Sequence, residues 1–317
     1  MYSALVRRLV RPIRVGCPAC VLLAVAMASS LGAQTPPVAP PMAPQQASPM
    51  AESTRRHERL SPAALPGDTV RVLWAAASPA ALYLPRDEAA TLDLVVHFHG
   101  APWLVHQAVA TRNRTAALVL NLGSGSAVYD RTFTAADAFA QLLSSAAQAA
   151  AQQRGKPVQW RRITLSGFSA GHGAIRRILR TPALAAQVSA VLLLDGMHTS
   201  YVPEGTTLAN GGALDSANLV ALTAYARRAA AGDARMLISH SEIFPGTYAS
   251  TTETADWLLR ETGVLRKPVL KWGPRGMQQL SEARRGTFVV RGYAGNSAPD
   301  HVDHLHAMPE LLRDVWR

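Results

Sequence analysis

The sequence predicts a doubly wound α/β domain whose mainly parallel sheet is flanked by helices, with a small lid or none. Three observations carry that expectation. Short β-prone runs alternate with stretches of helical period from about residue 60 onward. Several of those runs are almost wholly apolar, as strands buried on both faces of a parallel sheet are. The residues with chemical potential fall at the carboxyl ends of the runs, where sheets of this kind hold their functional crevice.

The chain has 317 residues, 48% of them hydrophobic and 17% charged, which suffices for one sizeable core. Residues 1–33 are laid out as a secretory signal: Arg7, Arg8, Arg11 and Arg14 precede an apolar run from Val15 to Ala28, with cleavage expected after Ala33 or Ser30. The run is shorter than the ~20 residues of a bilayer span, so no stable membrane span is expected after signal removal. Arg7-Arg8 fits a twin-arginine signal poorly. Both cysteines, Cys17 and Cys20, lie in this leader, so the exported chain would have neither disulfide nor thiolate metal site. The four leader arginines account for part of the formal +11, leaving +7 on the rest. The remaining positive residues are nearly all arginine and are scattered, without the basic, aromatic-interleaved stripe of a nucleic-acid face, so no nucleic-acid partner is expected. Residues 34–59, opening on the proline-rich "TPPVAPPMAPQQASP", read as a disordered leader, and 60–317 as the catalytic-scale domain.

Strands are expected in "TVRVLWAA", "LDLVVHFHG", "AALVLNLG", "RRITLSG", "AVLLLDG", "RMLISH" and "TFVVRGYA". Helices are expected near 135–153, 173–179, 215–231, 253–261 and 304–316.

"GFSAG", residues 167–171, follows the strand "RRITL" and precedes the helix "GAIRRILR". This is the strand-turn-helix context of the GxSxG nucleophile elbow, whose serine stands on a strained turn that tolerates only small neighbours. Gly167 and Gly171 meet that need, and Gly173 lets the helix pack closely. On these residues the chain resembles the α/β-hydrolase superfamily from about residue 65 to the end. The resemblance implies Ser169 as nucleophile, followed in chain order by an acid and then a histidine. Asp195, ending "AVLLL", stands at one of the superfamily's two acid positions and Glu242, in "SHSEIFPG", at the other; Asp195 is favoured for its strand-end place. His301, in "APDHVDHLHAMPELL", fits the base position, since the last helix is expected to begin near Asp303, which would cap it. His304 is the alternative. His306 is expected on the helix surface.

The oxyanion site should combine the Ala170 amide with that of Gly100 or Ala101, Pro102 having no N–H. "HFHGAPW" lacks the longer glycine run of lipases and esterases. Trp103, His99 and His240 are candidates for substrate contact, with Ser241, Tyr248 and Ser250 along the same crevice edge, and His172 faces either substrate or solvent. The stretch between Asp195 and Met236 could cover the mouth but is too short for a large lid domain.

The Asp300, His301, Asp303, His304 and His306 cluster raises a metal reading, against which stand the absence of HExxH and the elbow's need for one of these histidines. No metal and no cofactor is called for. "NLGSGSAVY" lacks the lysine of a phosphate loop. The expected function is an exported serine hydrolase, periplasmic or extracellular, cleaving an ester in a small molecule or an envelope polymer. A non-catalytic binding protein on the same scaffold, and a metal-dependent hydrolase, are the competing classes.

Overall fold

The computed structural model describes residues 56–317. The expected signal and most of the proline-rich leader lie outside the described residues.

The chain opens with β1 (Asp68–Val72), β2 (Ala80–Leu84) and β3 (Thr91–Phe98), then α1 (Pro102–Ala110), β4 (Thr115–Leu120), α2 (Ser126–Thr132) and α3 (Ala138–Arg154). Next come β5 (Gln159–Phe168), α4 (His172–Leu179), α5 (Pro182–Gln187) and β6 (Val188–Leu194). A two-stranded hairpin, β7 (Tyr201–Val202) with β8 (Ala213–Leu214), leads to α6 (Val220–Ala231), β9 (Arg235–His240) and α7 (Thr251–Thr262). The chain then forms β10 (Lys267–Trp272), β11 (Gln278–Arg285), β12 (Phe288–Tyr293), α8 (Ala298–His306) and α9 (Met308–Val315).

Ten strands make one sheet in the order β1-β2-β4-β3-β5-β6-β9-β12-β11-β10. The run from β4 to β12 is parallel, and antiparallel strands finish both edges. The mainly parallel, helix-flanked sheet is thus the architecture expected. All seven anticipated strands are present. β2 and the β10–β11 hairpin were not anticipated: "QQLSEARR" carries too few apolar residues to stand out, and "KPVLKW", exposed at the sheet edge, is interrupted by Pro268 and two lysines.

The apolar runs bury both faces by simple alternation. Along β3, Leu92, Leu94, Val96 and Phe98 join one core while Val95 joins the other, and along β6 Val191 and Leu193 oppose Ala190, Leu192 and Leu194. The first core is closed by α2, α3, α4, α6 and α7 through residues such as Tyr129, Leu142, Ile175, Leu222 and Leu258. The second is closed by α1 and α9 through Leu104, Val105, Leu311 and Leu312. Each such buried leucine contributes on the order of 2 kcal/mol of transfer free energy, so both faces of the sheet under the strand ends are held by core packing.

The last helical region corrects the expectation. It begins at Ala298, not near Asp303. Ser297 accepts the Asp300 amide, while the Asp300 carboxylate takes the Ser297 amide and hydroxyl, a reciprocal cap with proline in the first turn. Asp303 is fully buried instead of capping. The leader's last residues hold it: His57 Nδ1 donates to Asp303 Oδ2 at 2.6 Å, Arg59 Nε donates to Oδ1 at 3.2 Å, and Arg59 also reaches the Pro299 carbonyl. The folded part therefore begins before residue 60. His306, expected on the surface, is buried because its Nδ1 accepts the Leu60 amide at 3.0 Å.

Candidate active site

Ser169 is the first residue after β5 and has φ +49, in the left-handed region that costs a β-carbon residue on the order of 1–3 kcal/mol. The surrounding glycines permit it. A Cβ on Gly171 would overlap the Phe98 carbonyl, one on Gly173 the Ser126 carbonyl, and one on Gly196 the backbone of Ser169 itself. The turn is thus pressed from both sides by neighbouring strand ends, and Ser169 has no room to relax. Its own carbonyl accepts a hydrogen bond from His172 Nδ1 at 2.9 Å, locking the first turn of the helix.

Asp195, the first residue after β6, also has positive φ, +41. Its Oδ1 accepts the Ser241 amide at 2.9 Å, and its Oδ2 accepts the Ser241 hydroxyl at 2.7 Å and His301 Nδ1 at 2.7 Å. Burial opposes its charge, yet the neighbouring His304, His301 and Ser241 outweigh it and hold the carboxyl well below the usual carboxylate range. An ionised carboxylate only accepts, so the His301 Nδ1 carries a proton, and in the neutral imidazole that tautomer puts the lone pair on Nε2. His301 lies one turn into α8, where the Ser297–Asp300 cap fixes the backbone, and its ring packs on Phe168 at 4.4 Å between centroids. Ser169, Asp195 and His301 line a single cavity.

The loop after β3 completes the crevice. His99 has φ +70 and Gly100 φ +147, and Asn121, the first residue after β4, clamps Gly100 from both sides: its Oδ1 accepts the Gly100 amide at 2.9 Å and its Nδ2 donates to the Gly100 carbonyl at 2.8 Å. Of the two amides anticipated in this loop, that of Gly100 is therefore engaged, and Ala101 heads α1 one residue on.

The remaining candidates separate clearly. Glu242 binds the Gly295 amide and, with His240, lines a different cavity, behind β9 and β12. His240 is held there by Thr252 and Arg266. His304 pairs with Ser239 Oγ at 2.9 Å beneath the sheet end and is 1% exposed. His99 packs against Phe168 and meets the Tyr129 hydroxyl at 2.9 Å. Trp103 packs against the second core and edge-on to His306, and lines neither cavity beside Ser169. Ser241 serves Asp195, and Ser250 caps α7. Among the described residues, the carboxylates and histidines whose ligand atoms approach one another most like a metal cluster are His57, Asp300 and Asp303, with Asp303 already bound to Arg59.

Two cavities meet at Ser169. One, of about 430 Å³, lies toward α8 and is walled by Ile243, Phe244, Pro245 and Tyr248. The other, of about 490 Å³, lies over α4 and includes Ser126, His172, Arg176, His198, Ser200 and Asn218. His198 and Arg176 were not singled out in the sequence. His198 follows Asp195 by three residues on the loop that continues the strand, a placement that could have flagged it. His172, placed between substrate and solvent by sequence, is buried, and burial together with His198 pushes its pKa down to about 3.

No protein-family model and no curated protein matches the chain. Among solved structures it is similar to the acylaminoacyl peptidase of Pyrococcus horikoshii (14% identity, TM-score 0.42), covering 78% of this chain but only 40% of the peptidase. It is also similar to S-formylglutathione hydrolase from Staphylococcus aureus (12%, 0.44, 81% of this chain and 99% of that one). Est1E from Butyrivibrio proteoclasticus is a third such structure (10%, 0.39, 79% and 100%). With its elbow, its strand order and its Ser, Asp, His succession, the chain resembles the α/β-hydrolase superfamily.

Proposed function

We propose that this protein is a serine hydrolase that cleaves an ester through Ser169, His301 and Asp195. The observation that carries the reading is the Asp195–His301 bond at 2.7 Å, opening on the cavity that Ser169 also lines. His301 Nε2 takes the proton as Ser169 Oγ bonds to the acyl carbon, and the carbonyl oxygen becomes an oxyanion. The amides of Ala170 and Ala101 receive it. As the tetrahedral adduct collapses, the bond to the alcohol oxygen breaks and the alcohol leaves with the proton from His301. Water then attacks the acyl-enzyme, gives its proton to His301, and releases the acid as Ser169 recovers its own. Asp195 keeps the imidazole in the Nδ1–H tautomer and stabilises its cation throughout. The resemblance favours an ester over other acyl bonds, and the leader's composition supports export.

The test is labelling with a fluorophosphonate probe. Wild type should be labelled, Ser169→Ala should not, and His301→Ala should react at least about a thousandfold more slowly, whereas His304→Ala should keep its reactivity wherever it folds. Folded wild-type protein that resists the probe would overturn the reading.

A further inference from the structure

The two cavities at Ser169 differ in character. The one toward α8 adds the apolar wall of Ile243, Phe244 and Pro245 to Asp195 and His301, while the one over α4 presents a guanidinium and hydroxyls, and no aspartate or glutamate lines it. Its guanidinium, Arg176, donates through Nε and Nη2 to Asp130 Oδ2 at 3.1 and 2.9 Å. Arg177 binds the other oxygen of that same carboxylate. Two arginines sharing one aspartate leave a surplus positive charge at a mostly buried position, where screening is weak. His172 adds no charge, its pKa being pushed down by burial, and neither does His198, likewise depressed by burial. The wall therefore borders the one surplus positive charge of the Arg176–Asp130–Arg177 group, and Ser126 and Ser200 line the same cavity with hydroxyls.

Resting on the hydrolase reading above, we propose that the substrate is an ester carrying a carboxylate on one side of the scissile bond and an apolar group on the other. The carboxylate docks beside Arg176 and the apolar group lies against Phe244. Arg176 is then a specificity-determining residue. Asp130, fastened by Arg177 as well, holds its guanidinium in a fixed orientation, so that little freedom is lost on binding.

The test compares kcat/KM within two matched pairs: 4-nitrophenyl hydrogen adipate against 4-nitrophenyl hexanoate, with the charge on the acyl side, and the hexanoyl ester of 4-hydroxybenzoate against phenyl hexanoate, with the charge on the leaving group. In at least one pair the charged ester should be preferred about tenfold, as expected for a charge-assisted hydrogen bond. Arg176→Gln should abolish that preference. Ser200→Asp, which places a negative charge on the exposed rim and leaves the Arg176–Asp130 pair intact, should reverse it even if Arg176→Gln does not fold. Absence of preference in both pairs, or a preference that survives Ser200→Asp, overturns the proposal. Fluorophosphonate labelling of each protein separates the two claims: labelled enzyme without charge preference leaves the hydrolase reading standing and removes only this one, whereas unlabelled wild type removes both.

Discussion

The two ends of the central parallel strands follow different rules. At the carboxyl ends of the adjacent strands β3, β5 and β6, the first residue beyond each strand is a non-glycine residue with positive φ: His99, Ser169 and Asp195. At the amino ends, charges stitch neighbouring strands together. Asp93 near the start of β3 accepts Arg161 Nε and Nη2 at 2.9 and 3.0 Å and binds Arg162 as well, while Trp316 is flanked by the guanidiniums of Arg162 and Arg235. Among the described residues, Arg114, before β4, is the one non-glycine residue of positive φ at this end, and it closes an ordinary turn. Strain collects where side chains must converge, and pairing where strands need only be held.

The sharpest way to break this contrast is to neutralise an aspartate at each end. Asp195→Asn should lower kcat by about 10³- to 10⁴-fold, because the amide no longer fixes the imidazole tautomer. Asp93→Asn should leave kcat alone and cost about 1 kcal/mol in urea melts, since its arginine partners are half exposed. Equal losses of kcat in the two variants would erase the distinction.

Steric pressure on the nucleophile turn predicts the next largest effect. Gly196→Ala puts a Cβ onto backbone atoms of Ser169, which cannot retreat from Gly171 and Phe98 behind it. A loss of at least about 3 kcal/mol is expected, together with loss of probe labelling. A well-folded, active Gly196→Ala would mean that the turn is looser than its contacts imply.

Much of the carboxyl edge was legible because strain leaves a compositional trace. GFSAG flanked by a strand and a helix and Asp195 directly after AVLLL each mark a strand end by a break in apolar pattern, and His301 stands in the histidine-rich helical segment that follows the last strand. What stayed illegible depends on contacts between distant segments. Ser241 gives no local sign that it would clasp Asp195 from 46 residues away. His306 reads as a surface residue until Leu60 covers it, and the Ser297–Asp300 cap was passed over for the aspartate three residues on. Trp103 had no signal that set core packing apart from a substrate wall. Sequence records which residues a turn tolerates, and it says little about which loop arrives above them.

Buried histidines add a pH dependence that reaches beyond the site. Burial pushes the pKa of His97 down to about 3 and, with help from Arg266, that of His240 down to about 4. These bases bind protons near pH 6.5 once unfolded but not while folded. Stability should therefore fall as pH drops through 6.5 and keep falling, to about pH 4 on account of His240 and about pH 3 on account of His97, each histidine costing about 2 kcal/mol at pH 5. His240→Gln, outside the cavities at Ser169, should narrow the gap in unfolding free energy between pH 7 and pH 5 by about that amount. An unchanged gap would show that His240 opens to solvent below neutrality.

The smallest effect tests the strain itself. If the positive φ at Ser169 is imposed by its neighbours, relief of that strain should favour Ser169→Gly over Ser169→Ala by about 2 kcal/mol, since both lack the hydroxyl and only alanine must hold a β-carbon at φ +49. Glycine also gains freedom in the unfolded chain, which subtracts up to about 1 kcal/mol from that advantage. The informative comparison is thus with the same pair of substitutions at an amino-end position of ordinary φ such as Thr115, the first residue of β4, where glycine should be the less stable variant. A difference in unfolding free energy that changes sign between the two ends places the strain at the nucleophile, and one that keeps its sign assigns the whole effect to the unfolded chain.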